Sequence, residues 1–448
     1  MRKASKPSSD SRLCAGPYSC VRGRARQKPN ALASRASKQN PSGYSQLRMR
    51  GSGQRAGHRS GLGSEGNLLP TEEAYFEVAL STGPPPSFVQ CRLAILKRDN
   101  RLKVMETGVY EIDPIQDSRW PGFLERHSSA SIFHTSEWLA CLQRSYGYLP
   151  AAFTTSGPGE PLTDALLFCR VRSWLTGRRL VSLPFSDHCR PLVDDQERFS
   201  HLLSRLKQEC DREGEKYAEI RSPGFDAEGL ATSGKFCLHR LDLRPSLDTL
   251  HHGLHKSCVR RKIVRAQREG VQCEEGTSEE LLRKFYLLMS ATRRRHQLPP
   301  QPLSWFRNMV ACLGGMIKIR VGSWHGRPAA ATVMLRYKRT MTYKYGCSDS
   351  KFHKLGAMQL LIWKTIEEAK HARLEEFDMG RSDWNQPGLL AFKDHWGCQR
   401  SNLVYLQYPA TRPHAAENRA LRIPRLVLAV TPECILATAG NFLYRHVG

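Results

Sequence analysis

The chain has 448 residues, 40% of them hydrophobic, with a formal net charge of +26 and a pI near 9.8. That length exceeds one small core and suits two domains, and the apolar content is adequate for both. The basic balance points toward nucleic acid or an anionic surface, but residues 1–70 alone hold fourteen Lys or Arg against two acids, so much of the excess lies outside any segment with a folding pattern.

Residues 1–104 are read as a disordered basic extension or as sequence translated upstream of the true start, with Met105 the favoured start. A basic arm that binds RNA or lipid and a transit-like segment are the other readings. The stretch has no apolar h-region, so a secretory signal is not expected. A strand-like run from Phe88 to Leu96 is isolated by Pro84-Pro85-Pro86.

From residue 105 the pattern becomes that of an α/β chain. Ala151 to Thr155, Asp164 to Val171 and Arg179 to Ser182 alternate as strands. A helix with Phe199, Leu202, Leu203, Leu206 and Cys210 on one face then precedes the strand Tyr217 to Ile220. A basic helix follows from His255 to Val271, with Val259, Ile263 and Ala266 on one face, arginines opposite and Gly270 as C-cap. The order then repeats. Met316 to Val321, Ala329 to Leu335 and Met341 to Tyr345 read as strands, with His325-Gly326-Arg327-Pro328 as a turn. Met358, Leu361, Ile362, Ile366 and Ala369 form a helical stripe, and Glu376 to Met379 a strand stopped by Gly380. The third strands end alike, in Leu183-Pro184-Phe185-Ser186-Asp187 and Tyr345-Gly346-Cys347-Ser348-Asp349, which suggests an internal duplication.

The apolar run Leu426 to Leu436 is too short to span a bilayer. It reads as a docking helix that covers the second domain, or as a peripheral foot with Arg412, Arg419, Arg422 and Arg425 near anionic headgroups. The fourteen cysteines include no Cys-x-x-Cys pair and no disulfide-like rhythm, which fits a cytoplasmic, reducing setting. Adjacent strand residues point to opposite faces, so Cys189 beside His188 is discounted as a Cys-His pair. His251-His252 has no second cluster at ligand spacing, and no metal site is expected.

Three segments together resemble the FemAB-like proteins, a tandem-domain branch of the GNAT acyltransferases. They are the opening motif from Trp120 through Ser131-Ile132-Phe133-His134-Thr135-Ser136-Glu137-Trp138 to Tyr146-Gly147-Tyr148, the basic helix, and the closing pair Phe377-Asp378-Met379-Gly380-Arg381-Ser382 and Gly388 to Gly397. Tyr444-Arg445-His446 resembles the usual tail. The resemblance covers about residues 106–448. It implies an α/β fold of two tandem GNAT-like domains, with mixed, mostly antiparallel sheets flanked by helices. The expected bounds are 105–248 for the first domain, 249–410 for the second with its basic helix, and 411–448 for a docking tail.

The activity implied is amide formation on an amine-bearing, anionic acceptor of cell-envelope or exopolysaccharide assembly, at the cytoplasm or the inner membrane face. No cofactor is expected to stay bound, and the acyl donor is either acyl-CoA or aminoacyl-tRNA. A plain acyl-CoA N-acyltransferase on a small amine and a non-catalytic RNA- or membrane-binding scaffold are the alternatives. Gly356 and Ala357 are the donor-binding candidates, because N–H groups at a helix start favour a phosphate. The loop departs from the usual pattern, with His353 in place of Gln or Arg and Met358 in place of Gly or Ala.

Lys256, Arg260, Arg261 and Arg265 on the basic helix are expected to grip phosphates, with a solvated face as the alternative. Arg293-Arg294-Arg295-His296 adds a second cationic cluster. Lys393, in the family-like Phe-Lys pair, is expected to stabilise charge in the tetrahedral intermediate, against the alternative of a surface lysine. Asp378 is expected to take the amine proton or orient the acceptor, and Tyr345 to position the leaving group. Arg381 and Ser382 are expected to bind the acceptor. Capping of the Gly380 turn by Asp378 or Ser382, and core packing of Tyr345, are their structural alternatives.

Overall fold

A computed structural model describes residues 108–221, 224–410 and 431–447. The expectations for residues 1–104, and for the start of the tail at 411–430, lie outside the described residues. In chain order the first half comprises β1 (Tyr110–Ile112), α1 (Trp120–Arg126), α2 (Ser136–Tyr146), β2 (Leu149–Thr154), β3 (Leu166–Ser173), β4 (Gly177–Ser182), α3 (Gln196–Arg212), β5 (Tyr217–Arg221) and β6 (Ala231–Asp242). The second half comprises α4 (Leu247–Gly253), α5 (Arg261–Arg268), β7 (Gln272–Gly276), α6 (Glu279–Arg295), α7 (Leu303–Leu313), β8 (Ile317–Trp324), β9 (Arg327–Tyr337) and β10 (Thr340–Ser348). It continues with α8 (Ala357–His371), β11 (Glu376–Asp383), α9 (Pro387–Asp394) and β12 (Gln399–Tyr408), and α10 (Glu433–Val447) closes the described chain.

All twelve strands form one mixed sheet in the order β1-β2-β3-β4-β5-β12-β6-β11-β10-β9-β8-β7. The order is symmetric about its middle. Each half has an antiparallel meander, then one parallel pair, β4 with β5 and β10 with β11. The halves exchange their last strands: β6 follows β5 in sequence but pairs with β11, while β12 follows β11 but pairs with β5. The β6–β12 ladder, from Gln399↔Arg240 to Gln407↔Ala231, fuses the two expected domains into one sheet.

Strand alternation sorts the cores. On β8 and β9, Ile317, Ile319, Val321, Ala331, Val333 and Leu335 face α6 and α7, in a core shared with α2 of the first half. There Trp138 and Trp305 meet edge to face at 5.6 Å. Ala330, Met334, Met341, Phe377 and Met379 face the other way, onto α5 and α8. Phe199, Leu202, Leu203 and Leu206 of α3 cover β2 to β5. Local chemistry sets the ends: Thr135 Oγ1 accepts from Trp138 N at the start of α2, and Gly147 at φ +73 ends it.

The run Leu426 to Leu436, expected to cover the second domain, lies partly outside the described residues, and α10 begins within it. The helix docks mainly on the first half, where Tyr148 Oη donates to Tyr444 O, Ser173 Oγ meets His446 Nδ1 at 2.9 Å and Arg179 donates to His446 O. Tyr148 and Arg179 thereby satisfy carbonyls that the last helical turn leaves without a partner, while Ser173 holds the His446 ring.

Candidate active site

The strands β10 and β11 pair only from Thr340↔Glu376 to Thr342↔Asp378, then part. Beyond that point β11 carries a bulge between Asp378 and Arg381, with Gly380 at φ +70. A β-bulge re-aims the residues beside it. Here it turns the Gly380 and Arg381 carbonyls toward Lys393 and brings the Gly380 N–H within 2.7 Å of Asp378 Oδ1. The first half supplies the other wall, since the segment after β4 lies against the opening. Lys344 Nζ donates to Phe185 O at 2.6 Å, and Tyr405 Oη donates to Asp187 O at 2.5 Å.

A cavity of about 1110 Å³ opens on this junction, with Asp378, His188, Arg240, Thr342, Arg126 and Arg190 among its lining residues. Asp378 is 2% exposed and accepts a 2.7 Å hydrogen bond from His188 Nε2. Burial by itself would raise the Asp378 carboxyl, but His188, Arg240 and the Gly380 N–H together hold it down to about 2. An ionised carboxylate only accepts, so the shared proton sits on His188 Nε2. No protein group among the described residues bonds His188 Nδ1.

A second carboxylate, that of the partly buried Asp187, lies near this pair. A Cβ on Gly380 would come 2.5 Å from Asp187 Oδ2, so glycine is required both for φ and for this approach. Burial raises the Asp187 carboxyl less than Lys344, Arg381 and Lys393 lower it. Burial in turn depresses both lysines, against the pull of Asp187. Lys344 also lies 5.0 Å from the Phe133 ring and 5.4 Å from that of Trp138.

The structure thus brings Asp378, Lys393, Arg381 and Gly380 together, with Ser382 beside them. Lys393 is 3% exposed, which overturns the surface-lysine alternative. Its ammonium donates to Gly380 O at 2.8 Å and Arg381 O at 3.0 Å. The Arg381 guanidinium lies over the rings of Phe236 and Tyr405, and Ser382 Oγ is buried without a hydrogen-bond partner among the described residues. Tyr345 lies apart in the shared aromatic core, where its Oη accepts from Trp305 Nε1 at 3.0 Å and its ring packs against Phe306; burial pushes its phenol up.

Lys256, Arg261 and Arg265 are exposed and Arg260 is partly buried; none of the four lines the cavity. Lys256 and Arg260 lie in a π-helical turn before α5, and Arg265 lies 3.7 Å from Glu269. Gly356 and Ala357 are buried where α8 begins, and a Cβ on Gly356 would come 2.4 Å from the Lys262 carbonyl of α5.

Asp187 and Lys344 are not among the candidates the sequence offers, and His188 is considered there only beside Cys189, as a pair that is discounted. The one signal is the matched ending of the two third strands, which includes Asp187, lies next to His188 and begins one residue after Lys344. His188 faces Asp378, while its neighbour Cys189 turns away, 3.5 Å from His134 Nε2.

Residues 255–394, about a third of the chain, match the family described as acetyltransferase (GNAT) domain. The fold is similar to that of FemX, at 14% identity over 66% of this chain and 96% of that one, with a TM-score of 0.53. Lower similarity is found to L-PGS from Bacillus licheniformis (14% identity, 68% and 96% covered, TM-score 0.45). The same holds for a tandem GNAT protein of the clavulanic acid biosynthesis pathway (12%, 67% and 97%, 0.45). No curated protein matches the chain. Among the described residues no helix is long and apolar enough to cross a membrane.

Proposed function

We propose that the protein is a FemAB-like N-acyltransferase that forms an amide on an amine-bearing, anionic acceptor held in the cavity, with His188 as general base. The observation that carries this reading is the Asp378–His188 pair on the cavity wall. Asp378 fixes the proton on Nε2, so Nδ1 presents its lone pair and can take the proton an amine must lose to attack a carbonyl. The new C–N bond forms as the acyl bond to the leaving group breaks. Lys393 is a positioning residue in this scheme, holding the bulge that fixes Asp378. Arg126 and Arg190 have no carboxylate partner among the described residues, which suits a phosphate or carboxylate on the acceptor.

The donor we favour is an aminoacyl-tRNA. A CoA pyrophosphate would lie at the start of α8, and α5 packs over that point. The exposed face of Lys256, Arg261 and Arg265 suits a longer polyanion. An envelope or exopolysaccharide precursor is the acceptor class that the family resemblance supports.

The test follows label from aminoacyl-tRNA or from acyl-CoA into a pool of amine-bearing envelope precursors. Transfer from tRNA should weaken steeply with salt, each neutralised phosphate adding about 0.7 to the log–log slope. His188→Asn should slow it by on the order of a hundredfold or more, and Arg126→Met should raise the acceptor KM. Transfer from acyl-CoA alone overturns the donor, undiminished transfer by His188→Asn overturns the base, and no transfer from either donor favours the scaffold alternative.

A further inference from the structure

We infer that His255, Cys258 and His395 form a zinc-binding site, separate from the cavity. One donor atom from each residue lies within 4.8 Å of the other two. The first two come from the turn that leads into α5, spaced His-x-x-Cys, and the third follows α9, 137 positions past Cys258 in the chain. The backbone already ties the two segments, since His255 N donates to His395 O at 2.9 Å. The imidazole centroids are 4.3 Å apart. No hydrogen bond to protein occupies the His395 ring among the described residues.

Two imidazoles and a thiol make a borderline-soft donor set that suits Zn²⁺ and disfavours Mg²⁺ or Ca²⁺, which require oxygen. Bonds of about 2.0–2.3 Å to a tetrahedral ion require the donors to close by about 1 Å. Closure is open to them because His255 is exposed and the other two are only partly buried. His255 Nδ1 now accepts from Cys258 N at 3.1 Å. Ser257 Oγ also lies 3.4 Å from this nitrogen, so coordination gives up both contacts or turns the ring to offer Nε2. The thiol proton goes to solvent, and the fourth position is left to water or an anion. A bound ion would pin the turn before α5 to the end of α9, the helix whose Lys393 holds the β11 bulge.

The test uses the untagged full chain, stripped with chelator and titrated with Zn²⁺ or Co²⁺. Co²⁺ should give a thiolate-to-metal charge-transfer band that Cys258→Ser abolishes. His395→Gln should weaken Zn²⁺ binding at least tenfold, while His251→Gln leaves it unchanged. A readout without variants guards against misfolding: Zn²⁺ should protect Cys258 from alkylation, as mapped by peptide mass spectrometry. Equal labelling of Cys258 with and without Zn²⁺, or a charge-transfer band that persists in a folded Cys258→Ser protein, overturns the site.

Discussion

Replacing Asp378 with Asn keeps the shape of the side chain and removes its charge. The native carboxyl lies near 2 against an ordinary value of 3.8, so its folded-state pKa is depressed. The stabilisation is therefore complete above about pH 4 and lost as pH falls toward 2. A difference of nearly two pKa units corresponds to about 2 kcal/mol, and with the side chain 2% exposed solvent screens little of it. Urea unfolding at pH 7 should show Asp378→Asn less stable by about that amount, with the gap closing near pH 2. An Asn amide can donate to His188 Nε2, which moves the imidazole proton to Nδ1 and removes the lone pair from the cavity. Turnover at saturating substrates should fall by on the order of a hundredfold to ten-thousandfold. Wild-type turnover in the variant would refute the base mechanism. A stability gap of equal size at pH 7 and pH 2 would refute the ionised carboxylate.

Gly380→Ala should destabilise the fold by about 1–3 kcal/mol, because a left-handed φ and the Asp187 carboxylate both oppose a Cβ; an unchanged urea midpoint would remove that account. Lys393→Met leaves Gly380 O and Arg381 O without their ammonium and should cost about 2–4 kcal/mol, while exposed Lys351→Met should cost little. Thermal unfolding of the pair checks this, and equal midpoints would restore a solvated lysine. His134 is buried, its Nδ1 accepting from Ser131 N and its Nε2 donating to Arg190 O. Burial holds its folded pKa down to about 4 from 6.5, so stability present at pH 7 should decline as pH falls through 6.5 toward 4. His134→Gln should flatten that slope, and a slope equal to wild type would assign it elsewhere.

Much of the local fold was legible in the residues themselves. Alternation gave β8 to β10 and β2 to β4, and the three- and four-residue stripes gave α3 and α8, because one-sided burial leaves a period in the chain. The matched strand ends showed the duplication, and the motif around Asp378 and Lys393 marked one wall of the site. The long strands β6 and β12 passed unnoticed. Where a strand pairs depends on distant partners, so the exchange of β6 for β12 has no local period. The site is divided in the same way. His188 and Asp378 are 190 positions apart, and Asp187 matters only because Gly380 leaves room for its carboxylate. Sequence determined which segments bury a face and which residue types could do chemistry. Only the tertiary structure decided which of them meet, since the charges of Asp378, Asp187, Lys344 and Lys393 are held in place by one another across the two halves.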